Sequence, residues 1–137
     1  MRSGTPAELA GSSNSRSARG VVVLTRGDGS VVCERCVVAD RMLPRMKGLL
    51  GKRELISGEG LLIQPAPSIH TLFMRFPIDV VFLAKNGDVL KVAPNVGPWR
   101  MRSCRRAFAV LELPAGEAEL RGITVGDHID KAEATWT

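Results

Sequence analysis

Ile78-Asp79-Val80-Val81-Phe82-Leu83-Ala84-Lys85-Asn86-Gly87-Asp88-Val89-Leu90-Lys91-Val92-Ala93 is the stretch that decides the fold. Ile78 to Ala84 is almost continuously apolar, as a strand covered on both faces must be. Asn86-Gly87 is the strongest turn signal in the chain, because a two-residue hairpin loop needs positive φ and these residues tolerate it. Val89 to Ala93 then returns as the second arm of a hairpin.

Working outward, Leu61-Leu62-Ile63 is a short strand closed by the loop Gln64-Pro65-Ala66-Pro67. Before it the period changes. Met42, Leu43, Met46, Leu49 and Leu50 fall at helical spacing within Asp40 to Lys52, Pro44 suits a first turn, and Gly51 suits a C-cap ahead of Lys52 and Arg53. This spacing predicts one short helix over 43–51. Further upstream, Val21 to Leu24 feeds Arg26-Gly27-Asp28-Gly29 and a return strand from Ser30 to Val38, a second hairpin. Residues 1–20 are biased to Ser, Gly, Ala and Arg without apolar periodicity, so they are expected to be a disordered leader to one domain over 21–137. Downstream, 94–98 is expected as a loop, 107–113 as a strand, 115–121 as a helical turn ended by Gly122, and 123–129 as a last strand. The fold class expected is mainly β (α+β): one compact antiparallel sandwich or barrel of about seven strands, with a short helix and a helical turn.

The chain has 137 residues, enough for one core and too few for two. No apolar run approaches the roughly 20 residues that span a bilayer, and the N-terminus lacks the apolar segment of a secretory signal, so a cytoplasmic, non-membrane protein is expected. Three cysteines, an odd number, fit a reducing compartment better than a disulfide framework. Lys and Arg outnumber Asp and Glu by 19 to 14. That surplus admits nucleic acid as a partner without requiring it.

Three collinear blocks resemble one family. Arg45-Met46-Lys47-Gly48-Leu49-Leu50-Gly51-Lys52 is similar to its Arg-x-x-Gly-Leu-Leu-Gly-Arg segment, and Ser68 to Leu83 resembles its central signature. Leu111-Glu112-Leu113-Pro114-Ala115-Gly116, followed by Arg121-Gly122-Ile123 and Gly126-Asp127, resembles its C-terminal signature. The family is that of domain of unknown function 192. The resemblance implies a compact, mainly-β fold and no defined activity. Relatives often carry Cys before the His-Thr pair and Gly before the Met, where this chain has Ala66 and Phe73. A thiol-based role at that loop loses support accordingly.

His70, Thr71, Met74, Arg75 and Asp79 gather polar groups inside an apolar region, and Glu112 stands between two leucines; these six residues are the candidate binding residues. A His beside a carboxylate suits acid–base work or ligand capture. The alternative is structural: Asp79 pairs with Arg75 and with backbone N–H groups of the loop. Glu112 has two readings, pointing into the same pocket or into water, and strand alternation favours water. Cys33-Glu34-Arg35-Cys36 has the spacing of a metal or redox motif, but zinc needs four ligands, and Cys104, His70 and His128 stand at no ligand spacing. Within a regular strand, side chains three apart face opposite ways, so the two cysteines are expected to be unrelated. Nucleophile elbows, phosphate-cradling glycine loops and zinc helices are missing from the sequence.

The first reading is therefore a non-catalytic accessory domain that binds a small molecule or a protein segment near His70 and Asp79, with no metal or cofactor expected. The rival is a hydrolase or lyase using His70 as base oriented by Asp79. Nucleic-acid binding through Arg100 to Arg106 ranks third, because Trp99 alone is too few aromatics for a stacking platform.

Overall fold

A computed structural model describes residues 18–39, 55–66, 68–70, 76–98 and 100–133. The elements in chain order are β1 (Ala18–Arg26), β2 (Val31–Ala39), β3 (Glu59–Ile63), β4 (Ser68–His70), β5 (Ile78–Leu83), β6 (Val89–Val96), β7 (Met101–Ser103), β8 (Ala109–Pro114), α1 (Glu117–Leu120) and β9 (Ile129–Glu133). The helix expected over 43–51 and most of the expected leader lie outside the described residues. β1 starts at Ala18 rather than Val21.

Seven strands form one curled sheet in the order β6-β5-β8-β3-β2-β1-β9, while β4 and β7 pair separately. Every joint of the large sheet is antiparallel except β2–β3, where Arg35 to Ala39 run parallel to Glu59 to Ile63. A wholly antiparallel sheet therefore does not hold. Parallel neighbours need a connection of about a dozen residues or more, and residues 40–58 supply that length.

Alternate faces of the strands feed two apolar clusters. The first joins Leu24, Cys33, Cys36, Leu83, Val89, Leu111, Leu113, Ala118 and Ile129 with others. Because it unites Val89 near one edge of the sheet with Ile129 at the other, it fills the concave side. The second, with Leu61, Ile63, Ala66, Phe76, Ile78, Val80, Phe82 and Val110, covers the opposite face. All six residues of β5 are buried, as a strand lying between two clusters must be.

The two edges of the sheet meet at one corner. Asp88 and His128 form a β-bridge, Val89 N donates to Asp127 O at 2.8 Å, and Ile129 N donates to Gly87 O at 2.9 Å. Gly87 has φ +102°, and a Cβ there would collide with the Ile129 carbonyl oxygen. Glycine is thus required at the hairpin turn for both conformation and space.

Two boundaries differ from expectation. β6 continues through Pro94 to Val96, because it is an edge strand on which a missing N–H breaks no ladder. Residues 123–127 form a loop with a turn at 125–126, and the last strand begins at Ile129, since Asp127 accepts from the Thr124 backbone N–H at 2.9 Å and closes a tight loop.

Candidate functional site

Asp79 and Glu112 stand on neighbouring strands, one register step apart: Val80 faces Glu112, and Asp79 faces Leu113. A single step reverses the side-chain direction. Asp79 therefore points to the concave face and Glu112 to the other, so the sheet separates these two candidates rather than bringing them together. His70 lies on β4, opposite Met101 of β7. Thr71, Met74 and Arg75 lie outside the described residues.

Asp79 is buried and engaged. Its Oδ1 accepts from Asn95 N at 2.8 Å, and its Oδ2 accepts from Gly116 N at 3.0 Å and Ala118 N at 2.9 Å. The local sequence explains the need. α1 has Gly116 at its N-cap, with φ 90° and no side chain to cap the helix. The orphan N–H groups of its first turn take their acceptor from β5 instead. One carboxylate thus ties β5, the end of β6 and α1 together.

Glu112 has the opposite character. It is 0 % exposed, and among the described residues neither Oε1 nor Oε2 has a hydrogen-bond partner. Its neighbours across the strands are Leu61 and Val80, both part of the second cluster. With no compensating charge or donor, burial alone pushes its pKa up to about 8, so the carboxyl is protonated at neutral pH. Simple alternation places Glu112 in water, and the structure overturns that. β8 is an inner strand between β5 and β3, with an apolar cluster on each face. Ala66 and Phe76, which bracket the 67–75 segment, belong to the cluster around Glu112.

Sequence reasoning also misjudged the cysteine pair. On β1, Val22 faces Cys36 and Leu24 faces Cys33, so two residue steps oppose three: the ladder holds a β-bulge. Glu34 and Arg35 both turn outward, and both thiols enter the concave cluster. The thiols contact each other. That hydrogen bond lowers the pKa of Cys33, whereas the same contact together with burial raises Cys36. Cys33 Sγ also donates to Gly58 O at 3.4 Å, and Gly60 leaves the space its sulfur occupies. Among the described residues no three His, Cys, Asp or Glu side chains are placed to hold a metal ion.

A network near α1 escaped the sequence reading. Glu117, buried, accepts from Ser57 Oγ and Gly58 N, both at 3.0 Å, and pairs with Arg121 at 2.9 Å; Arg121 also forks onto Glu34. The i,i+4 spacing of Glu117 and Arg121 was the available signal.

The strands and their order define a curled, mixed β-domain. The comparisons with known proteins agree with that class and make it specific: residues 22–131 match DUF192, described as "Uncharacterized ACR", and the chain belongs to that family. It is similar to a UPF0127 protein of Pyrococcus furiosus, 34% identical over 96 residues, which are 67% of this chain and 82% of the relative. A UPF0127 protein of Thermococcus sibiricus is 28% identical over 115 residues, 80% of this chain and 73% of that one. Among solved structures, a protein of unknown function from Novosphingobium aromaticivorans superposes with TM-score 0.66 at 26% identity, covering 80% of this chain and 83% of its own. The family is of unknown function, and none of these likenesses supports a specific activity. Among the described residues no helix is long and apolar enough to cross a membrane.

Proposed function

We propose that this chain is a non-catalytic binding module that captures a small molecule on the sheet face holding Glu112. The observation that carries this reading is a fully buried carboxyl with no partner among the described residues. Leaving such a group unpaired costs on the order of 1–3 kcal/mol, a cost that a structural role would have offset with a donor, as Asp79 does. A neutral carboxyl offers one O–H donor and one C=O acceptor side by side. The matching ligand group is a neutral amide or its equivalent, with apolar flanks to lie along Leu61 and Val80. Ala66 and Phe76, which flank 67–75, belong to the same cluster, which is why Thr71, Met74 and Arg75 are kept as candidate contacts. Adjacent free thiols at Cys33 and Cys36 favour a reducing, cytoplasmic setting.

The test is a thermal-shift screen of amide-bearing metabolites against wild type, Glu112→Gln and Glu112→Leu. A true ligand stabilises wild type at pH 6 and loses effect above about pH 8, as the carboxyl ionises. Glu112→Gln keeps binding but removes the pH dependence, and Glu112→Leu abolishes it. Hits that stabilise all three proteins equally would end this reading. The raised pKa favours one second reading, general acid catalysis by Glu112. A substrate turned over by wild type and not by Glu112→Gln would bring it forward.

A further inference from the structure

The corner where β6 and β9 close the sheet carries a half-open pocket of about 220 Å³. It lies on the concave side, separate from Glu112. Leu24, Leu62, Phe108 and Ile129 form its apolar walls, and Lys85 and Lys131 stand among its lining residues. Leu24 and Leu62 are essentially inaccessible to solvent and back the floor, over which Phe108 is partly exposed. The charges at the rim are unbalanced. Asp130 also lines the pocket, but its carboxylate faces His128 Nε2 at 3.1 Å. Asp88 holds the other ring nitrogen at 2.9 Å, and the two carboxylates keep the imidazole pKa raised. Asp88 and Asp130 are thus both engaged by His128, and the third acid of this corner, Asp127, faces Arg26 Nη1 at 3.7 Å. Among the described residues neither Lys85 nor Lys131 forms a salt bridge; Lys85 Nζ sits 5.6 Å from the centre of the Phe108 ring.

We propose that this corner pocket is a binding site for a small apolar carboxylate, its tail along Phe108 and Ile129, above Leu24 and Leu62, and its head between Lys85 and Lys131. An apolar cavity of about 150 Å³ is enough for a benzene ring, so the space here suits a short acyl chain or a single ring. The mouth of a curled sheet is a common place for such ligands, and a carboxylate is the head group selected by two ammoniums that lack a carboxylate partner among the described residues. This site stands independently of the reading built on Glu112.

Octanoate, titrated into 15N-labelled protein, tests it. Saturable shifts are expected at the backbone amides of Gly87, Ile129 and Lys131, with a Kd of about 1 mM or tighter. Lys85→Glu with Lys131→Glu should weaken binding on the order of tenfold or more, and both side chains are exposed, so the fold should tolerate reversal. Octylammonium, with the same tail and the opposite charge, should not bind, an arm that needs no variant. Glu112→Gln should bind octanoate as wild type does, whatever becomes of the Glu112 reading. Absence of saturable shifts, unchanged binding by the charge-reversed protein, or equal binding of octylammonium would each overturn the proposal.

Discussion

Two buried carboxylates one register step apart, Asp79 and Glu112, divide the sheet into a face built for stability and a face that carries an unmet need. Both are essentially inaccessible to solvent, at 1 % and 0 % exposure. Asp79 receives three backbone N–H donors from two other elements, and Glu112 receives none among the described residues. Burial is therefore no guide to the role of an acid in this protein; its donors are. Glu117, with a hydroxyl, a backbone N–H and Arg121 around it, belongs with Asp79. A chain selected for stability alone would gain by making position 112 apolar, and that contrast is what supports the binding role proposed for Glu112.

The largest expected effect tests the isolation of Glu112 directly. Its folded pKa of about 8 lies above the ordinary 4.5, so between these values the native state holds a proton that the unfolded chain has released. The stability contributed is complete below about pH 4.5, falls as pH rises toward 8, and stops changing above it. At about 1.4 kcal/mol per pKa unit the full loss is on the order of 4–5 kcal/mol. Urea denaturation at pH 5 and pH 8.5 should show this fall in wild type and lose most of it in Glu112→Gln. Equal pH slopes in the two proteins would mean that the carboxyl has found a partner, and the contrast with Asp79 would disappear.

The next effect probes the other half of the comparison. Asp79→Ala removes the acceptor of the Asn95, Gly116 and Ala118 donors, and should cost roughly 2–4 kcal/mol of unfolding free energy. Hydrogen exchange should rise first at α1, whose cap is lost. A neutral substitution would place the acceptor for that helix elsewhere.

The smallest effect has the opposite sign. Glu112→Leu removes a buried polar group at little change in volume and should raise stability by about 1 kcal/mol at pH 4.5, where ionisation of the carboxyl adds nothing, measured as a higher midpoint in urea. Destabilisation by more than about 1 kcal/mol would show that the carboxyl is structural after all, and would set it beside Asp79.

Local chemistry was enough for much of the fold. Asn86-Gly87 marked the β5–β6 hairpin, and the apolar run from Ile78 marked a strand covered on both faces. The 115–121 segment contains α1, as its residues implied. In each case the cause lies within a few residues, as turn conformation, periodicity or helix preference. What only the tertiary structure decided depends on partners distant in the chain. The bulge opposite Val22 and Leu24 turned Cys33 and Cys36 to one side, against strict alternation. The inner position of β8, between β3 and β5, buried Glu112, because alternation predicts exposure only when one face of a sheet meets water. The same physics gave Asp79 its role: a helix begun at Gly116 has no cap of its own, and a strand 37 positions earlier in the chain supplies the acceptor.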